Sequence, residues 1–141
     1  MFLNIALASL MMLVTTSLHV AGISLLMAFL KRHVANWRHR RPIIRARKIG
    51  GVALVMFFLS MVEVFVWAVV YLWVGAFQKM EAALYFSTVT FTTLGYGDIL
   101  LDEKWRLMAA FEAANGIIIF GLTTAVVVGV VQLLYFSDAS D

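Results

Sequence analysis

The 141 residues contain no cysteine and a single proline, Pro42. Without thiols there is no disulfide framework and no thiolate metal site. Charge is scarce too: Asp, Glu, Lys and Arg together make up 13% of the chain, eleven basic residues against eight acidic. No paired carboxylates, metal-ligand spacing, phosphate-binding glycine loop or interleaved basic and aromatic residues emerge from so few charges. The expectation is therefore no enzyme, no cofactor and no nucleic-acid partner.

What the chain has in excess is apolar residues, 63% of the total, with a mean hydropathy of +0.95. A water-soluble domain of this size has no core large enough to bury such a share. Three apolar runs, at residues 2–30, 49–77 and 107–136, each exceed the roughly 20 residues that cross a bilayer as a helix. The first lacks a basic leader, is too long for the apolar part of a signal peptide and ends at Lys31-Arg32, so it reads as a retained span. Eight of the eleven basic residues (Lys31, Arg32, Arg38, Arg40, Arg41, Arg45, Arg47 and Lys48) fall between the first and second runs. Such a cluster marks a cytoplasmic linker, which puts the N-terminus outside and the C-terminus inside. The same charges attract anionic lipid head groups. They lie outside the apolar runs and do not repeat within one, which argues against a voltage sensor.

Between the second and third runs lies Thr92-Thr93-Leu94-Gly95-Tyr96-Gly97-Asp98. Gly95 and Gly97 are free to take positive φ, so the backbone can alternate in handedness and turn successive carbonyls toward one side. Residues 81–92 suit a half-helix whose first turn carries Glu81 against the positive end of the dipole, and whose C-terminus directs partial negative charge at a cation. Non-helical backbone at membrane depth needs a protein wall or a water-filled cavity around it.

This segment resembles the selectivity filter of potassium channels, in which Val stands where this chain has Leu94. The resemblance to the two-span pore module covers residues 50–136. It includes Ala83-Leu84-Tyr85-Phe86-Ser87 at the start of the pore helix, and Arg106-Leu107, Gly116 and Phe120-Gly121-Leu122-Thr123-Thr124 in the inner helix. It implies an all-α membrane fold of three transmembrane helices plus a re-entrant pore half-helix and extended filter, assembled as a homotetramer. The divisions are an N-terminal span at 1–30, a basic linker at 31–48, a pore module at 49–136 and a cytoplasmic tail at 137–141. Within the module the outer helix is 49–77, the pore helix 81–92, the filter 93–98 and the inner helix 105–136.

By the same resemblance, K⁺ is held by the carbonyls of Thr93, Leu94, Gly95 and Tyr96 and by the Thr93 hydroxyl, with Gly97 completing the filter. Asp98, Thr90, Thr92 and Phe86 support it, with Thr90 in place to reach Tyr96, and Glu112 joins them if it points behind the filter. Gly116 is the gating hinge, in competition with a close-packing role, and Ile117, Phe120, Thr124 and Val128 face the cavity and gate. Two departures stand out. Val89 occupies the place where some relatives have a Glu pairing with the Asp after the filter, and Phe86 replaces a Trp that helps to hold the filter Tyr. The expected function is a potassium-selective channel in a prokaryotic-type plasma membrane. The alternatives are a less selective cation channel and an accessory membrane subunit.

Three ionisable residues fall inside the spans, His19, Glu63 and Glu112, where each needs a partner or an aqueous face. At 1.5 Å per residue His19 and Glu63 lie about 16 and 21 Å from the basic ends of their runs, close enough in depth to pair across the two helices. The competing reading is separate packing. Glu112 points either behind the filter, toward Ser87, Thr88 or Thr90, or into the pore as a ring of carboxylates.

Overall fold

The computed structural model describes residues 2–38 and 41–136. Met1, His39, Arg40 and the expected tail at 137–141 lie outside the described residues. Among those described there are four helices and no strand: α1 (Phe2–Arg38), α2 (Pro42–Trp73), α3 (Met80–Phe91) and α4 (Arg106–Tyr135). Helices α1, α2 and α4 are long and apolar enough to cross a membrane. At 30 residues α4 is the shortest of the three, yet it measures about 45 Å against a hydrocarbon core of about 30 Å.

The helix boundaries correct the expected linker. Residues 31–48 are mostly helical, because α1 continues to Arg38 and α2 begins at Pro42. Lys and Arg are good helix formers, so charge alone does not end a helix. Proline is tolerated at the first helical position, and it holds Arg41 extended, at φ −54° and ψ 147°. The outer helix also stops earlier than expected, at Trp73 rather than 77. Gly75 takes φ 73°, the Ala76 amide donates to the Tyr71 carbonyl at 2.9 Å, and the Gly75 amide donates to the Leu72 carbonyl at 3.0 Å. This is a Schellman ending. The pore and inner helices fall within a residue of their expected limits.

Helix α1 packs along α4 and α2, and α3 is wedged against α2 and α4. One apolar cluster, at the level of α3, contains Trp67, Tyr71, Phe86, Phe91, Met108 and Ile119. A second, nearer the basic ends of α1 and α2, contains Leu30, Val52, Met56, Val126, Val130 and Leu134. Of the α2 aromatics, Phe57, Phe58 and Phe65 are exposed and Trp67 is fully buried.

Between helices in a bilayer, apolar contact has little advantage over lipid, so polar contacts and close packing carry much of the specificity. Helix α1 docks in that way. Thr16 Oγ donates to Asn115 Oδ1 at 3.1 Å, and Asn115 Nδ2 donates to Thr15 Oγ at 2.7 Å. One turn further, His19 Nδ1 lies 2.8 Å from Glu63 Oε1, and its Nε2 lies 3.2 Å from the Thr123 hydroxyl. With Nδ1 protonated, the ring donates to the carboxylate and accepts from Thr123, which joins α1 to α2 and α4 through one side chain. His19 and Glu63 are both fully buried.

Removing one partner of a buried pair strands the other, at a cost of about 3 to 5 kcal/mol, whereas replacing both with apolar side chains is often near neutral. His19→Leu is therefore expected to lower the thermal unfolding midpoint of the detergent-solubilised protein markedly, with His19→Leu/Glu63→Leu recovering most of the loss. An unchanged midpoint in the single variant would show that the contact contributes nothing.

Candidate ion-conduction site

Helix α3 ends at Phe91, and the chain then turns back on its last turn. The Thr93 amide donates to the Thr90 carbonyl at 2.9 Å, while the Leu94 and Gly95 amides both donate to the Val89 carbonyl, at 3.0 and 3.2 Å. These bonds occupy carbonyls that the helix end leaves without amide partners, and they anchor the following segment to α3. Thr92 Oγ donates to the Thr88 carbonyl at 2.8 Å.

Beyond that anchor the sign of φ alternates. Thr93, Gly95 and Gly97 have φ of 59°, 55° and 77°, and the intervening Leu94 and Tyr96 keep negative φ. The left-handed region suits glycine, but for a β-branched residue such as Thr93 it is an outlier costing about 1 to 3 kcal/mol. Glycine at position 93 would relieve that strain and remove the hydroxyl. The side chains of Leu94 and Tyr96 are exposed, at 54% and 67%.

The support around this segment differs from the sequence-based expectation in its partners. Glu112 is fully buried. Its Oε2 accepts from the Tyr71 hydroxyl at 2.7 Å, and its Oε1 is hydrogen-bonded to the Ser87 hydroxyl. Ser87 Oγ also lies 2.9 Å from the Val64 carbonyl. Side chains of α2, α3 and α4 therefore meet at one carboxyl. Thr88 bonds within its own helix, to the Leu84 carbonyl at 2.7 Å. Among the described residues Thr90 makes no hydrogen bond to Tyr96. Phe86 packs its ring against Tyr71 and Phe77, with centroids 5.4 and 5.3 Å away.

Asp98, for which Val89 offers no carboxyl partner, accepts instead from the Tyr85 hydroxyl at 2.7 Å. The sequence reading missed this pair and Tyr71. Tyr85 stands 13 residues before Asp98 and Tyr71 41 residues before Glu112, separations with no local periodicity to signal them. The four residues expected along a cavity (Ile117, Phe120, Thr124 and Val128) all lie on an open face of α4. Gly116, four residues before Phe120 on the flank of that face, and Ile119 are both buried. A Cβ at Gly116 would overlap the Phe91 carbonyl oxygen and sit 2.9 Å from its carbon. This close approach accounts for the glycine without a bend in α4, which runs unbroken through it.

The Tyr85 bond holds the Asp98 carboxyl below the usual carboxylate range and raises the Tyr85 phenol above its ordinary value. With Asp98 lowered, its contribution is complete above the ordinary carboxylate value and is lost as pH falls through the lowered one. With Tyr85 raised, its contribution is lost as pH rises through the raised phenol value. Tyr85→Phe is expected to move the Asp98 titration midpoint up toward its ordinary value, followed by carbon NMR of aspartate-labelled protein in micelles. A midpoint that stays put would mean that the bond does not form in solution.

A family model described as "Ion channel" matches residues 50–133, more than half of the chain, from within the first half of α2 to the last turn of α4. No curated protein and no solved structure gave a match. The matched stretch takes in the helix-and-turn geometry of α3 and residues 93–98 together with both flanking spans, and on that match the chain belongs to the ion-channel family of the potassium channel pore module.

Proposed function

We propose that the chain is a subunit of a potassium-selective channel in the plasma membrane. Four copies surround one axis, and dehydrated K⁺ passes between the carbonyls of Thr93, Leu94, Gly95 and Tyr96. The observation that carries this reading is the alternation of φ at Thr93, Gly95 and Gly97 immediately after a short helix. Alternating handedness rotates successive peptide planes so that their oxygens share one side, which is what replacing a hydration shell requires. The C-terminal end of α3 adds partial negative charge at the entrance. The Thr93 hydroxyl supplies a further oxygen and gives a reason for holding a threonine in a strained conformation.

The exposure of the segment supports a tetramer. One chain leaves Leu94 and Tyr96 uncovered, and backbone of this kind at membrane depth needs a surrounding wall, which cyclic copies of the same chain provide. The exposed face with Ile117, Phe120, Thr124 and Val128 then lines the cavity below the filter. The basic ends of α1 and α2 lie in the cytoplasm, with the N-terminus of α1 outside. A second reading, a cation channel of lower selectivity, is favoured by one observation. Among the described residues the Tyr96 hydroxyl has no hydrogen bond within the chain.

Cation uptake into liposomes containing the purified protein separates the two. Barium-sensitive uptake of K⁺ is expected to exceed that of Na⁺ by at least about tenfold and to vanish in Gly95→Asp, where a side chain meets both a positive φ and the ion path. Equal K⁺ and Na⁺ uptake would establish the less selective channel. No uptake in any lipid mixture would remove the conduction reading.

Glu112 is the proposed brace for the filter. Glu112→Ala leaves the buried Tyr71 hydroxyl without its acceptor, at a cost of about 1 to 3 kcal/mol. The expected outcome is an assembled protein of unchanged size on gel filtration with a several-fold lower K⁺/Na⁺ uptake ratio. Glu112→Gln, which retains one acceptor and one donor, is expected to keep most of that ratio. If the Glu112→Ala variant conducts as selectively as the unsubstituted protein, the brace has no part in selectivity.

A further inference from the structure

We propose that the groove between α1 and α2 at their basic ends is a binding site for an anionic glycerophospholipid. The phosphate would lie between Arg47 and Lys48, with an acyl chain running along Phe29 and Val55. This inference rests on the membrane setting and is independent of which ion the protein conducts.

The groove has a floor and two walls. Leu30 and Val52, both buried, form the floor, and the half-exposed side chains of Phe29 and Val55 stand on either side. On α1, Phe29, His33 and Trp37 succeed one another four residues apart. Their rings form a ladder, with centroid separations of 4.4 Å for the first pair and 6.4 Å for the second. On α2, Arg47, Lys48, Gly51, Val52 and Val55 share one helical face. Gly51 faces the groove, and a Cβ built there meets nothing within 4 Å. Its lack of a side chain is unnecessary for packing within the chain and keeps the groove open.

Charge identifies the occupant. Arg47 and Lys48 are exposed at the mouth of the groove, and among the described residues neither has an acidic partner. The Lys48 ammonium is held 4.8 Å from the centroid of the Trp37 ring, a contact that leaves its N–H donors available. An apolar trough that opens onto two cations and an interfacial tryptophan complements one acyl chain, one phosphodiester and the interface between them. A zwitterionic lipid places a choline cation beside the same phosphate, where Arg47 and Lys48 repel it. At about 1 kcal/mol per basic residue near an anionic lipid surface, each cation is worth about fivefold in affinity and the pair about 25-fold.

Trp37 lines the groove, so the test reads its fluorescence in nanodiscs, taken as the difference between the protein and its Trp37→Phe variant. Acyl-brominated phosphatidylglycerol and phosphatidylcholine, titrated separately into an unbrominated zwitterionic background, are the quenchers. Half-maximal quenching of Trp37 is expected at a roughly 25-fold lower mole fraction of the anionic lipid. Arg47→Gln and Lys48→Gln should each reduce that preference about fivefold, and Gly51→Leu should weaken quenching by both lipids. Arg41→Gln removes an equal charge outside the groove and should leave the preference intact. Equal quenching by the two lipids would overturn the site. So would an Arg41→Gln effect as large as that of Arg47→Gln, since a diffuse surface field has no groove.

Discussion

The position of α3 depends on the Glu112 carboxyl more than on any other side chain. A 12-residue helix is too short to be held in a membrane by its own length. Its apolar face gains little from helix contact that lipid would not also supply. At Glu112 a hydroxyl from α3 and a phenol from α2 converge on one carboxyl from α4, all fully buried. Each group would be costly to leave unpaired in this environment, so any displacement of α3 breaks contacts to both flanking spans at once. Phe86, packed on Tyr71 and Phe77, adds an aromatic wall beside the same junction.

Buried polar contacts also make an additional helix part of the channel fold. The α1 face toward α4 and α2 carries Thr15, Thr16 and His19, and each meets a polar group of another helix. Asn115 and Thr123, its partners on α4, lie in the helix that also presents Ile117, Phe120 and Thr124 on its open face. Displacing α4 along its axis would therefore break two sets of bonds to α1. The first helix acts mechanically on the inner one although it lies outside the family match, which begins at residue 50.

Much of this was legible in the sequence because the constraints there are local. Apolar run length marks the three long helices, and Gly95 and Gly97 stand where positive φ is needed. Depth along helices brings His19 to the level of Glu63. Four features were not legible. Lys and Arg between the first two runs mark a side of the membrane but do not break a helix, so α1 and α2 extend into the region read as a linker. In α2 nearly every residue is apolar, so no period distinguishes buried Trp67 from exposed Phe65. The Tyr85–Asp98 and Tyr71–Glu112 contacts join residues whose separation in sequence has no meaning until α3 is folded against its neighbours. The left-handed Thr93 was also missed, because the expectation attached positive φ to glycine alone.

Gly116 shows how the packing of α4 bears on residues 93–95. With no side chain there, the α4 backbone lies against the carbonyl of Phe91, two residues before Thr93. That carbonyl belongs to the last turn of α3, where the Val89 and Thr90 carbonyls accept from the amides of Thr93, Leu94 and Gly95. Phe91 also sets its ring edge-on to Phe120, 5.7 Å away, on the open face of α4. Close-packed atoms transmit displacement because there is no void to absorb it. A shift of α4 toward α3 at this level has nowhere to go except into the turn that anchors residues 93–95. Helix α4 and the last residue of α3 are thus in direct steric contact two residues before Thr93, through a glycine whose small size allows the approach.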